Sequence, residues 1–359
     1  MRARGRIRVL VIDDSAFSRQ AITRMLESSP LVEVVGTARD GEEALRKAFD
    51  LEPDLITLDL EMPRMDGFTF LRIVMARRPT PVIVISGRAG EGSVFKALEL
   101  GAVDFIAKPT PHATPLLASI ERELIRKVHA VRELRIDRVR ERLAALPPAL
   151  GADAALGAAP GVVAIGASTG GPAALLQIFG AFQEPPRCAF LVAQHMPEGF
   201  TRGFAERLDR LTAFAAREAQ GGEELAPGVI LVAPGGGHLE VEAAGGRVRA
   251  VVSAASPADK YAPSVDRLFD SAAKACAADL LAVVLTGMGD DGRLGARAVK
   301  AAGGRVLAES DETAVIHGMP QQAIRTGAVD AVLPLHEMAS AIRGGWQRAG
   351  AAKGTGEGR

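Results

Sequence analysis

The chain has 359 residues, enough for about two domains, and 48% of them are apolar, so each domain can bury an ordinary core. Its 43 basic residues balance 43 acidic ones, which argues against nucleic acid or a polybasic membrane contact as the main partner. Cys188 and Cys276, the two cysteines, sit in apolar stretches without metal-type spacing and read as buried thiols in a reducing cytosol.

The basic start, Met1 to Arg8, is followed by only four apolar residues before Asp13-Asp14. That is too short for a signal h-region or a membrane span, and no other segment reaches the ~18 uncharged apolar residues a spanning helix needs. A soluble cytoplasmic protein, without membrane insertion and monomeric, is expected.

Short apolar runs at 9–12, 32–35, 55–58, 82–85 and 103–106 read as five strands, separated by helical patterns such as 18–28 and 41–49. Strands alternating with helices imply βαβ units and a parallel, doubly wound sheet. From Pro115 the pattern changes. Leu117, Ile120, Leu124, Val128 and Val131 recur at helical steps, and the amphipathic pattern continues through Val139, Leu143 and Leu146 to Pro147-Pro148. A solvated helix packed on the first domain accounts for this, with a regulatory coiled coil as the alternative. Residues 149–160 are almost wholly Ala and Gly and read as a tether.

A second α/β pattern opens at 162–165. Further strands are expected at 189–192, 229–232, 248–252, 280–285, 305–308 and 331–333, with a strong helix between Ser264 and Ala278. The Gly-rich 350–359 end reads as a disordered tail. The expected division is a first domain at 1–125, a linker at 126–158, a second domain at 159–350 and a tail at 351–359.

In the first domain Asp13-Asp14 ends one strand, Asp59 another and Ser86 a third, while Lys108-Pro109 follows the last. A parallel sheet brings all of these to its carboxyl edge, where doubly wound folds place their sites. Three converging carboxylates need a hard cation between them, and Mg²⁺ with oxygen ligands suits Asp13, Asp14 and Asp59. Asp59 is then the phosphoacceptor, Lys108 a point charge for the phosphate and Ser86 a hydroxyl that bonds it after transfer. Helix capping is the bland alternative for any single aspartate. The strings V-L-V-I-D-D-S, T-L-D-L-E-M-P-R-M-D-G and A-K-P resemble response-regulator receivers over about 7–125, which implies phosphotransfer from a sensor histidine kinase. Asp66-Gly67 reads as a turn rather than part of the acid cluster.

In the second domain Gly166-Ala167-Ser168-Thr169-Gly170-Gly171-Pro172 follows a strand and opens a helix. Ser168 then sits where backbone amides can meet a developing oxyanion. By itself the segment also suits a phosphate-binding loop. His195 and Asp290-Asp291 close two other strands, so a serine, an imidazole and a carboxylate can meet in one crevice. The order Ser–His–Asp differs from that of the α/β-hydrolase fold. Gly287 to Gly292 also matches G-x-G-x-x-G with Glu309 ending the next strand. Two carboxylates in that loop would repel a pyrophosphate.

The strings I-G-A-S-T-G-G-P, A-Q-H-M-P, A-P-G-G-G-H, P-S-V-D-R-L-F, L-T-G-M-G-D-D-G and G-M-P, between about 160 and 335, resemble the chemotaxis protein-glutamate methylesterases, the CheB family. The resemblance implies a Rossmann-like three-layer α/β/α domain with Ser168 as nucleophile, His195 as base, Asp291 as orienting acid, and an oxyanion environment at the backbone of Thr169 and Met288. It implies hydrolysis of γ-glutamyl methyl esters, and deamidation of glutamines, on the cytoplasmic helices of chemoreceptors. No metal is needed for that step. The receiver would cover the crevice until phosphorylated.

A non-catalytic module whose partner binding is gated by phosphorylation stays open. A transcription factor is opposed by the neutral charge and by strands where recognition helices should be. His112, His129 and His336 read as solvated, and His238 as a structural hydrogen-bonding residue. Tyr261-Ala262 stands where many family members carry His-Arg, and His317 where an aromatic residue is frequent; these departures bear on substrate fit.

Overall fold

The computed structural model describes residues 5–87, 91–108, 114–131, 134, 136, 139 and 161–345. The helix continuation through Leu143 and Leu146, the 149–160 tether, the 350–359 tail and His112 lie outside the described residues.

The first unit runs β1 (Ile7–Ile12), α1 (Ala16–Glu27), β2 (Val32–Ala38), α2 (Gly41–Leu51), β3 (Leu55–Asp59), α3 (Gly67–Arg77), β4 (Val82–Ser86), α4 (Glu91–Glu99), β5 (Asp104–Ala107) and α5 (Thr114–Ala130). Its parallel sheet has the order β2-β1-β3-β4-β5. The central strands are apolar on both faces because helices cover both. Side chains of Ser15, Asp40 and Asp66 cap α1, α2 and α3 by accepting backbone N–H bonds. Asp66 is therefore a helix cap outside the acid cluster. Gly67 is required behind it, since a Cβ there would stand 2.5 Å from the Asp59 carbonyl oxygen.

The second unit runs β6 (Val162–Ala167), α6 (Gly171–Gly180), β7 (Ala189–Gln194), α7 (Thr201–Leu211), β8 (Ala215–Glu218), β9 (Val229–Val232), β10 (Gly237–Ala244), β11 (Arg247–Ala254), α8 (Val265–Cys276), β12 (Leu280–Val284), α9 (Arg293–Ala301), β13 (Arg305–Glu309), α10 (Gly318–Ile324), β14 (Ala331–Leu333) and α11 (Leu335–Ser340). Seven strands form a parallel sheet ordered β14-β13-β12-β6-β7-β9-β8. The order reverses at β6, so a crevice opens at the carboxyl ends of β6 and its neighbours.

The 248–252 run is not part of this sheet. It pairs antiparallel with β10 as a separate hairpin, because its outward residues are charged or half-exposed and fit one covered face only. Cys188 is buried and Cys276 half-buried; both are free, and burial pushes their thiols up to about 12 and about 11.

The two units touch through α4, β5 and α5 of the first. Phe105 packs on Phe200 with ring centroids 4.8 Å apart, and Phe95 on Phe204 at 5.8 Å. Glu99 pairs with Arg207, and the Thr169 hydroxyl donates to Asp104.

Candidate active site

At the carboxyl edge of the first sheet, ligand oxygens of Asp13, Asp14 and Asp59 lie within 4.8 Å of one another. Asp13 and Asp59 are buried, and Asp14 is exposed. Lys108 Nζ donates to Asp59 Oδ2 at 2.7 Å and stands 3.1 Å from Asp13 Oδ2, yet that buried Asp13 oxygen lacks an aligned donor. Burial, then the Asp59 charge, pushes the Asp13 carboxyl up to about 6. Asp59 is also raised, first by burial. Burial alone would lower the Lys108 ammonium; its bond and attraction to Asp59 leave it raised instead. Ser86 closes β4 beside them and donates to the Gly87 carbonyl at 3.2 Å. An unsatisfied carboxylate oxygen in an all-oxygen cluster fits a hard divalent cation.

In the second unit β6 delivers Ser168, β7 delivers His195 and the turn after β12 delivers Asp291. Ser168 is 4% exposed. Its loop is pinned: the Ser168 amide donates to Thr286 O at 3.0 Å, and Gln194 Nε2 donates to Ser168 O at 2.9 Å. Among the described residues the Thr169 and Met288 amides have no acceptor.

His195 Nε2 bonds Asp291 Oδ2 at 2.8 Å. Asp291 further accepts from the Val265 amide at 2.7 Å, the Asp266 amide at 2.8 Å and the Ser264 hydroxyl at 3.2 Å, all at the start of α8. Burial works to raise this carboxyl, but the bond to His195 and then these amides outweigh it and hold it below the usual range. A carboxylate accepts only, so Nε2 donates, and in the neutral ring Nδ1 then carries the lone pair. Nδ1 is buried and without a partner among the described residues. Ser168, His195 and Tyr261 line one cavity of about 470 Å³, whose far wall is Arg122, Glu123, Arg126 and Lys127 of α5.

Other expected features fall into place around this centre. His238 is fully buried, accepts from the Ser264 amide at Nδ1 and bonds Asp259 through Nε2, a structural post under α8. His129 is not simply solvated; its Nε2 meets the Ser29 hydroxyl at 2.9 Å. Glu309 is buried and accepts from the Thr286 amide and the Thr313 hydroxyl, so the acid of the dinucleotide-like pattern is a strut. Tyr261 stacks on His195; the sequence marked it only as a departure bearing on substrate fit, not as a neighbour of the imidazole. The two residues are far apart along the chain, and no spacing rule joins them.

A cluster of acids at the edge of one sheet, joined to a crevice lined by a serine and a carboxylate-bound imidazole, has the make-up of a receiver-linked hydrolase. Comparison with known proteins makes this specific. The response regulator receiver domain family matches residues 9–121, and the CheB methylesterase family matches 163–342. Protein-glutamate methylesterase/protein-glutamine glutaminase 1 of Myxococcus xanthus is 50% identical over 342 residues, covering 95% of this chain and 98% of its own length. Protein-glutamate methylesterase/protein-glutamine glutaminase 3 of Geobacter sulfurreducens is 50% identical over 358 residues, covering 94% and 96%. The CheB methylesterase catalytic domain of Thermotoga maritima, a crystal structure, matches with a TM-score of 0.50 at 39% identity, covering 52% of this chain and 98% of that one. The chain belongs to the CheB methylesterase family and carries that family's domain behind a response-regulator receiver. Among the described residues no helix is long and apolar enough to cross a membrane.

Proposed function

We propose that the chain is a phosphorylation-activated protein-glutamate methylesterase and glutamine deamidase acting on the cytoplasmic helices of chemoreceptors. The observation that carries the chemistry is His195: its Nε2–H is committed to Asp291, Nδ1 has no partner among the described residues, and the ring lines the cavity shared with Ser168.

Ser168 Oγ attacks the γ-carbonyl carbon of the ester as its proton passes to His195 Nδ1. The amides of Thr169 and Met288 take the oxyanion. The tetrahedral intermediate collapses, the C–O bond to the methoxy group breaks, and the imidazolium returns the proton, so methanol leaves. Water repeats the sequence on the acyl-enzyme and restores glutamate and the free serine. With a glutamine side chain the leaving group is ammonia, and the acyl-enzyme is the same.

In the receiver a sensor histidine kinase supplies the phosphoryl group to Asp59. Asp13, Asp14 and Asp59 would hold Mg²⁺, which when bound neutralises phosphoryl oxygens. Lys108 pairs with the phosphate and Ser86 hydrogen-bonds it. In the resting arrangement α5 walls the Ser168 cavity and Asp104 holds Thr169; phosphorylation favours an arrangement without that contact. The proposed division is a receiver at 1–125, a linker at 126–158 whose first residues, to Ala130, complete α5 against the receiver sheet, a catalytic domain at 159–350 and a tail at 351–359, in a cytoplasmic monomer.

Methanol release from methylated receptor membranes tests the reading, with wild type and Ser168→Ala, each with and without a phosphodonor. Release by wild type alone, stimulated by the donor, is expected; equal rates for the two proteins would sink it.

A further inference from the structure

His195 is held by its edge at Asp291 and by its face at Tyr261. The phenol and imidazole centroids are 4.8 Å apart with 9° between the planes. Tyr261 is itself anchored: Oη donates to Asp290 Oδ1 at 3.0 Å, and Lys260 Nζ reaches the same oxygen at 2.6 Å. The Lys260 bond, and after it the phenol, hold the Asp290 carboxyl below its usual range, so it stays an acceptor. The turn is cut to admit the hydroxyl. Gly289 lies at φ +95°, and a Cβ there would stand 2.3 Å from Tyr261 Oη.

A ring tethered through one N–H···O bond can still pivot about that bond. A second ring lying parallel on its face removes the pivot and presents π density to the imidazolium that forms during proton transfer. We propose that Tyr261, anchored by Asp290, is a positioning residue for His195, keeping Nδ1 directed at Ser168 through acyl transfer. This rests on the reading of His195 as the base. The adjacent acids then act on one imidazole, Asp291 directly through the edge and Asp290 through the phenol on its face.

The test uses the full chain with a phosphodonor. Tyr261→Ala should lower kcat for methanol release roughly 10- to 100-fold, the cost of ångström-scale misplacement, with KM changed by less than about threefold. Tyr261→Phe, which keeps the ring, should recover most of the loss. Asp290→Ala, which removes the oxygen that Tyr261 Oη donates to, should match the residual defect of Tyr261→Phe, and the double variant should be no worse than the poorer single one. A readout independent of turnover is the NMR position of the His195 ring protons, assigned by their loss in His195→Gln. The phenol's ring current should shift them upfield in wild type and Tyr261→Phe but not in Tyr261→Ala. Wild-type kcat in Tyr261→Ala, a change in KM alone, or ring protons unmoved by that substitution would each overturn the proposal. Failure of wild type and Ser168→Ala to differ would instead overturn the base assignment, while the NMR arm still decides whether Tyr261 holds the ring.

Discussion

His195 meets Asp291 through Nε2, which leaves Nδ1 as the proton acceptor in the proposed reaction. Asp291→Asn should therefore lower kcat roughly 10⁴-fold, the scale seen when an orienting carboxylate becomes an amide and the tautomer is lost, with folding retained because the α8 amides still have an oxygen to meet. Methanol release and circular dichroism check both halves. In the receiver, Asp13 sits at about 6 against its usual 3.8, so the folded state holds that proton more tightly than the unfolded chain does. Stability from this group is present at low pH and is lost as pH rises from about 4 to about 6. Without Mg²⁺ the receiver's Tm should fall across that window relative to Asp13→Asn; added Mg²⁺ should raise Tm above about pH 6 and do progressively less below it. That Ser168, His195 and Asp291 share one edge was readable from the parallel-strand rule. Which ring nitrogen Asp291 takes was not, since it depends on where α8 puts its first amides.

Among the elements, the buried strands were legible because runs such as Val162–Ala167 and Leu280–Val284 are apolar on both faces. Ala215–Glu218 and Gly237–Ala244 escaped notice, one being a four-residue edge strand and the other a strand with only Leu239 and Val241 as large apolar residues among Gly, His, Glu and Ala. The helices that join the two units are marked by their contacts, not by their sequence pattern. Glu99 of α4 pairs with Arg207 of α7, whose guanidinium is mostly buried and is lowered first by that burial. Glu99→Arg sets like charges against each other there, a cost of several kcal/mol. The unphosphorylated methanol-release rate should rise severalfold, while the phosphorylated rate changes little; a basal rate equal to wild type would remove this contact from the inhibitory interface.

At the scale of the whole molecule, a buried apolar cluster is continuous from the receiver sheet through Phe105 and Phe200 into the second unit. Separating the halves exposes that face. Residues 159–359 alone should show a basal rate above that of the unphosphorylated full chain and no response to a phosphodonor; an unchanged rate would assign the receiver to docking or activation instead. Two α/β units could be read from the alternation of strands and helices, but the face by which they meet could not, because Asp104 and Thr169 look like any polar pair until the fold brings them together.

That pair makes the two halves of the chain a matched set. Asp104 also accepts from Lys127, which is buried and spends another bond on the Phe105 carbonyl. One aspartate thus serves the receiver's own interior and the loop beside Ser168 together. A receiver exchanged from a relative that lacks an acid at this point would lose both attachments in a single step, so the halves of such a hybrid are not freely interchangeable parts.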